Sequence, residues 1–309
     1  MSDRVAVVVP TYRRPEALAA CLGALAGQLR APDEVVVAAR SDDDDARRVA
    51  ECAPLRCKFV VVDEPGVLAA MVAGVRATTA PIICFTDDDA VAPPEWLDRL
   101  VATIQSSDLI GAAGGRDVLI DPDGSPRDEP LTSEVGQLRA YGRHVGHHHR
   151  GAGAARDVAF LKGVNAAYRR QALALPVGLR GTGAQVHFEV AVGRWATSRG
   201  WRLVYDPSIT VEHHPAPRVG DDQRDAPARQ AVCDAAYNLV VALGGWRGLA
   251  RLAYAVVLGD RGCPGVLRAA AALATGDRAT ARKLVPAVRG SMAGALAVAT
   301  GRRVRYVTF

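Results

Sequence analysis

Short apolar runs alternate with helical patterns along the first hundred residues, and that alternation predicts a parallel α/β sheet. Strands are expected at Arg4–Val9, Glu34–Ala39, Lys58–Val62 and Pro81–Thr86, with helices between them over Pro15–Leu29, Asp44–Ala53, Pro65–Ala77 and Pro94–Gln105. Pro15, Pro65 and Pro94 fall where a first helical turn accepts proline without losing a needed donor. Another strand is expected near Leu109–Ile120. From Asp121 to Arg156 the pattern dissolves into Pro, Gly, Asp and His, which predicts a long loop with at most one short helix. Order returns at Val158–Arg170, in a helix over Gln185–Arg199, and in two short strands around Arg202–Tyr205 and Ile209–Val211. Beyond Asp225 the chain reads as amphipathic helices rich in Ala, Leu, Val and Arg.

Composition narrows the partners. The 309 residues suffice for one large domain or two smaller ones, and 49% hydrophobic against 23% charged residues marks a globular chain. The net charge of +5 is carried almost wholly by arginine, because lysine occurs only at Lys58, Lys162 and Lys283. These arginines are scattered among acidic neighbours and form no dense stripe with interleaved aromatics, so no nucleic-acid partner is expected. The six cysteines show neither a CxxC pair nor a disulfide framework, the opening MSDRVAVVVP is too short for a signal-peptide core, and no apolar segment approaches the roughly 20 residues of a spanning helix. A cytoplasmic location is therefore expected. The segments Leu249–Leu258 and Val266–Leu273 combine apolar faces with Arg251, Arg261 and Arg268; packing against the rest of the chain explains them, and so does peripheral attachment to an anionic membrane at its inner face.

The sharpest chemical signal is Ile82-Ile83-Cys84-Phe85-Thr86-Asp87-Asp88-Asp89, a buried strand delivering three carboxylates at its carboxyl end. In an open α/β sheet that edge is where ligands bind. Side-chain alternation lets Asp87 and Asp89 face one way, and hard carboxylate oxygens suit Mg²⁺ or Mn²⁺ bridging a diphosphate. A solvated acidic turn capping the helix at Pro94 accounts for the same residues. The opening strand ends in Pro10-Thr11-Tyr12-Arg13-Arg14-Pro15-Glu16, where Thr11 and Tyr12 could reach a base and Arg13 or Arg14 a phosphate; a plain strand-to-helix turn is the alternative. His144 and His147–His149 are read as an acceptor-side loop, since adjacent histidines diverge and seldom converge on one ion.

Four blocks, PTYRRPE, FTDDDAVAPPEWL, FLKGVNAAYRR and GTGAQVHFEVAVGRWATSRGWRLVYDPSITVEHH, follow one another over roughly residues 4–215. In that order and at those separations they resemble the inverting family 2 glycosyltransferases of the GT-A fold. The resemblance implies a mixed, mostly parallel α/β sheet flanked by helices over residues 1–224, with a nucleotide-binding half (1–120) and an acceptor-binding half (121–224); the amphipathic pattern beyond it, which the resemblance does not cover, is read as a helical carboxy-terminal extension (225–309). It implies sugar transfer from a nucleoside diphosphate sugar to an acceptor hydroxyl, with Mn²⁺ or Mg²⁺ as cofactor. Asp89 would be the direct metal ligand, Asp87 would lie nearer the ribose or the metal's waters, and His213 would supply a third ligand. Pro10, Thr11, Tyr12, Arg13, Arg40, Asp87 and Asp88 would line the nucleotide site. Glu189 matches the carboxylate that deprotonates the acceptor, and Gly163, Asn165 and Trp201 would border the acceptor.

Two departures bear on this. Relatives place acids directly after the second strand to hold the base and ribose, whereas here Val37-Ala38-Ala39-Arg40-Ser41 precedes Asp42; and Val190-Ala191 follow Glu189 where another acid is usual. The donor base and sugar stay open on that account. A sugar nucleotidyltransferase, and a nucleotide-binding scaffold of the same fold without catalysis, are the rival readings.

Overall fold

The computed structural model describes residues 4–139, 141–181, 183–215 and 228–309. The expected division at residues 224 and 225 lies outside them. The chain opens with β1 (Val5–Pro10), α1 (Pro15–Ala26), β2 (Glu34–Arg40), α2 (Asp44–Glu51), β3 (Cys57–Val62), α3 (Val67–Arg76) and β4 (Ile82–Phe85). β5 (Ala90–Val91), α4 (Trp96–Gln105) and β6 (Ile110–Leu119) follow. Next come β7 (Gln137–Leu138), β8 (His144–Val145), β9 (Arg156–Val158), β10 (Ala166–Arg169), β11 (Ala174–Val177), α5 (Phe188–Thr197) and β12 (Arg202–His213). The last stretch holds α6 (Ala228–Leu243), α7 (Gly245–Val257), α8 (Val266–Ala274), α9 (Arg278–Ala281), α10 (Leu284–Ala299) and β13 (Arg305–Thr308).

The central sheet runs β3-β2-β1-β4-β10-β6-β12-β5, with β9 also on β12. β1, β2, β3 and β4 are mutually parallel, β10 inserts antiparallel between β4 and β6, and β12 is parallel to β6. The sheet is therefore mixed and mostly parallel. Burial on both faces explains the unbroken aliphatic strands. Val5, Val7, Val9, Val35 and Val37 pack against Leu18 and Leu22 of α1 and Trp96, Leu97 and Leu100 of α4. The alternate positions Ala6, Val8 and Val36 meet Leu68, Met71 and Val75 of α3, and the same layer continues through Phe188 and Val192 of α5.

Three expectations are corrected. The helix expected from Gln185 begins at Phe188, because Gln185 and His187 take left-handed backbone angles (φ 47° and 74°) that no helix continues. The two short strands expected around Arg202 and Ile209 are one strand, β12, whose register shifts between Asp206 and Thr210 where Asp206 accepts from the Ser208 amide at 2.9 Å. The region Asp121–Arg156 carries more order than a loop: β7 pairs with β8, a 3-10 turn spans His148–Arg150, and β9 joins the sheet.

The carboxy-terminal helices are docked on α5. α6 packs on α5 and α10, α10 approaching so closely that a Cβ on Gly290 would lie 2.0 Å from the Cys233 carbonyl oxygen. β13 pairs antiparallel with β11, and the Tyr306 hydroxyl donates to the Ala191 carbonyl at 3.2 Å.

Gly193 tests how tightly α5 is seated. Alanine is the better helix former by about 1 kcal/mol, yet a Cβ there would stand 2.2 Å from the Ala159 carbonyl oxygen and 2.8 Å from the Phe160 Cβ. Gly193→Ala is expected to destabilise by about 1–3 kcal/mol, read as a Tm several degrees lower in thermal melts. An unchanged or higher Tm would show that α5 is loosely held.

Candidate active site

Topology brings the chemistry to one edge. The carboxyl ends of the parallel strands β1, β2 and β4 deliver Thr11, Arg40 and Asp87 to the same side. A cleft of about 590 Å³ opens there, and its wall includes Pro10, Thr11, Tyr12, Arg40, Asp87, Asp88, Asp89, Gly163, Glu189 and His213. β5 runs antiparallel to the end of β12, pairing Ala90 with His213, and the His214 amide donates to the Asp89 carbonyl at 2.8 Å. That pairing fixes the imidazole of His213 beside the acidic turn.

The three aspartates do different work. Asp88 accepts from the Thr11 hydroxyl at 2.7 Å and from Arg14 at 2.8 Å, so both its oxygens are engaged. Burial raises its pKa to about 6 even though Arg14 pulls it down. Asp89 takes a second contact from Arg14 at 3.2 Å and lies 3.4 Å from His213 Nε2. Burial and then the Asp89 charge raise the Asp87 pKa. On its other side His213 Nδ1 is 3.5 Å from Asp117, a fully buried carboxylate on β6 that also pairs with Lys162. Burial opposes charge on both Asp117 and His213, yet the pairing wins: Asp117 falls to about 2 and His213 rises to about 9.

Asp87, Asp89 and His213 each offer a donor atom, all within 4.8 Å of one another, and among the described residues this is the one group of metal-ligating side chains so placed. Two carboxylates and an imidazole suit a borderline divalent ion such as Mn²⁺. The carboxylates around His213 favour its charged form, whereas at Asp87 burial is the larger cause of the rise and the neighbouring Asp89 charge the second. The donor set fits a divalent metal.

Glu189 sits half-buried at the first turn of α5 and lines the same cleft. Burial raises its carboxyl to about 7, with Asp87 adding to the rise and Lys162 opposing it. The loop leading to it is clamped from the carboxy-terminal helices. Asn238 of α6, itself buried, accepts from the Arg180 amide at 2.8 Å and donates to the carbonyls of Arg180 and Val186 at 2.9 and 3.3 Å. The Arg180 guanidinium lies 3.6 Å from the centre of the Tyr237 ring.

Not every expected site residue faces the cleft. Arg13, with φ 54°, turns off the cleft wall and pairs with Asp42 at 2.9 Å, leaving Arg14 to reach the acids. Tyr12 is flanked by the guanidiniums of Arg13 and Arg40, 4.9 and 5.2 Å from its ring, and its hydroxyl donates to Asp42 at 3.0 Å. Asn165 is buried behind the wall, accepting from the Trp96 indole at 2.9 Å and donating to the Arg116 and Ile209 carbonyls. Trp201 packs at Gly111 on β6, away from the cleft, in the apolar layer that includes Tyr168 and Trp195. His147, His148 and His149 all border the cleft; His148 is buried with Nε2 3.1 Å from the Phe160 carbonyl, and His149 pairs with Glu129 at 2.9 Å.

The sequence blocks match the family model for glycosyltransferase-like family 2 over residues 3–225. The chain belongs to glycosyltransferase family 2. A validoxylamine A glucosyltransferase of Streptomyces hygroscopicus subsp. limoneus is 36% identical over 104 residues, which is 32% of this chain and 23% of that protein. A glucosyl-dolichyl phosphate glucuronosyltransferase of Haloferax volcanii is 26% identical over 232 residues, 68% of this chain and 69% of its own. Matches to the first four curated relatives span between 23% and 38% of their lengths. The structure of a mannosyltransferase from Pyrobaculum calidifontis in complex with GDP-Man and Mn²⁺ is similar at a TM-score of 0.54 and 21% identity, covering 98% of this chain and 87% of that one. Glucosyl-3-phosphoglycerate synthase from Mycobacterium tuberculosis, in complex with Mn²⁺, UDP and phosphoglyceric acid, is similar at 0.51 and 18%, covering 77% and 78%. The fold is accordingly GT-A, a mixed sheet with flanking helices and a helical carboxy-terminal region.

The raised Glu189 pKa has a signed consequence. With the folded value near 7 and the ordinary value 4.5, the folded chain holds that proton more tightly. The stability this contributes is complete below about pH 4.5 and is lost as pH rises through about 7. Glu189→Gln, neutral throughout, is expected to melt several degrees above the natural chain at about pH 8.5 and to lose most of that advantage near pH 5. Scanning fluorimetry at the two pH values checks this; a Tm difference independent of pH would place Glu189 in water.

Proposed function

We propose that this chain is a metal-dependent inverting glycosyltransferase, moving a sugar from a nucleoside diphosphate sugar to an acceptor hydroxyl. One observation carries the reading. A lone carboxylate poised near neutral pKa, Glu189, lines the same cleft as the cation-demanding set Asp87, Asp89 and His213.

In this reading residues 1–120 bind the donor, with Pro10, Thr11, Tyr12 and Arg40 around the nucleotide. Residues 121–224 receive the acceptor at Gly163 and Glu189, and residues 225–309 form the helical extension that braces them. Asp89, Asp87 and His213 hold Mn²⁺ or Mg²⁺. When bound, that ion supplies positive charge to the departing diphosphate.

Glu189 takes the proton of the acceptor hydroxyl as its oxygen bonds to the anomeric carbon, while the bond from that carbon to the diphosphate oxygen breaks on the far side. The electron pair of that bond leaves with the nucleoside diphosphate. A pKa near 7 lets the carboxylate be deprotonated at working pH and still be basic enough to accept. Two of the neighbouring buried carboxylates are committed, Asp88 to Thr11 and Arg14 and Asp117 to Lys162. One base and one displacement invert the sugar's configuration, in contrast to the paired carboxylates of a retaining glycosidase.

A thermal-shift panel of UDP, GDP, ADP and dTDP with and without Mn²⁺ should single out one nucleotide whose stabilisation requires the ion. Asp89→Asn should lose that ion-dependent shift, and Glu189→Gln should keep it. With the matching donor sugar, both variants should lose transfer by about 10²-fold or more, and the natural chain's rate should rise with pH through an apparent pKa near 7 that the Gln variant lacks. Full transfer by Glu189→Gln would refute its role as base, and release of pyrophosphate would point to a sugar nucleotidyltransferase.

A further inference from the structure

Charge and exposed apolar surface are both concentrated in the last fifth of the chain. Residues 245–309 contain 11 Lys and Arg against 2 Asp, a net +9, so the remainder is net −4 in a chain of +5. Both acids are already engaged, Asp260 by Arg251 and Asp277 as the cap of α9. Arg247, Arg261, Arg268, Arg282 and Arg289 are exposed.

The same segment carries ten of the sixteen exposed large apolar side chains among the described residues. On α7, Trp246, Leu249 and Val257 recur at helical spacing on the outward side, and on α10 Val285, Met292 and Leu296 do the same. Val266, Leu267 and Leu273 of α8 add a third group. Single exposed leucines are ordinary. Nine on helices that pack on one another, α7 against both α8 and α10, mark a surface that meets something apolar.

We propose that this face of α7, α8 and α10 docks in the interfacial layer of an anionic lipid bilayer. Its basic charge selects the partner: a second copy would bring two strongly positive faces together, whereas acidic phospholipid offers both acyl chains and negative charge. No described helix is long and apolar enough to cross a membrane, so the helices lie in the surface. A recess lined by Tyr141, Arg143, Tyr254, Leu258 and Arg268 places two guanidiniums beside aromatic and aliphatic groups, which suits a phosphodiester headgroup. The inference is independent of the transferase reading.

Flotation of the full chain with vesicles of phosphatidylcholine, alone or with about 40 mol% phosphatidylglycerol, tests it. Partitioning should be at least about tenfold stronger on the anionic vesicles and should weaken as salt is raised. The triple variants Trp246→Glu/Leu267→Glu/Leu296→Glu and Arg247→Ala/Arg268→Ala/Arg289→Ala should each lose at least about tenfold, with circular dichroism and Tm showing them folded. Leu109→Glu, an exposed apolar position on another part of the molecule, should bind as the natural chain does. Equal binding to both vesicle types, no binding to either, or binding that survives both triple variants overturns the proposal. So does light scattering that shows a dimer which the apolar triple variant dissociates, because the face then covers a second copy.

Discussion

Four aspartates, Asp87, Asp88, Asp89 and Asp117, are drawn together at the carboxyl edge of the sheet, and their mutual repulsion is the constraint around which the site is built. Two like charges about 4 Å apart at a surface-like effective dielectric cost about 4 kcal/mol, so such a cluster folds only where cations are brought to it. Each cation comes from a different element. Arg14 enters from the turn after β1, Lys162 from the segment before β10, and His213 from the end of β12. Charge thus ties three distant stretches of chain together. Between Asp89 and Asp117, His213 rises to about 9 because both carboxylates favour its charged form.

Glu189 is the complementary case. It receives too little compensation: burial outweighs the help of Lys162, and the carboxyl is left near 7. A group so placed weakens the folded state once ionised, and its persistence requires that the backbone around it be held by other means. The left-handed residues Gln185 and His187 form the strained approach, and Asn238 with its three hydrogen bonds to Arg180 and Val186 holds that approach in place. Stability lost at the carboxylate is offset in α6, more than forty residues further along the chain.

Local signals made much of this legible from sequence. Aliphatic runs ending in Thr11 and Asp87 marked the strands and their functional edge, since a strand buried on both faces has a composition that few other elements share. The acidic turn and the Glu189 block were recognisable because their chemistry is contiguous. What stayed hidden is chemistry assembled across distance. Nothing local in Gly-Arg-Asp-Val announces that Asp117 joins the cluster, although a charged residue inside an apolar strand is itself a signal, and Lys162 stands out as one of three lysines in an arginine-rich chain. Asn165 and Trp201 mislead for the converse reason. Each stands in or near a block that borders the site, yet side-chain direction puts Asn165 to work satisfying buried carbonyls and Trp201 against Gly111.

The carboxy-terminal helices are the part whose role sequence pattern leaves least determined, and the structure gives them a specific one. Besides the Asn238 clamp, Asp260 between α7 and α8 is held by Arg251 at 2.6 Å and by the Tyr254 hydroxyl at 3.0 Å, and stands 3.6 Å from His144. His144 lines the cleft beside His187, the two rings 4.5 Å apart, and His187 immediately precedes the helix that carries Glu189. Through Asp260 and Asn238 the helices therefore reach the cleft at two points on its Glu189 wall. At Asn238 three hydrogen bonds hold the approach to α5, and breaking them would leave buried polar groups unpaired. The outer helices thus share buried contacts with the segment that leads into α5 and Glu189.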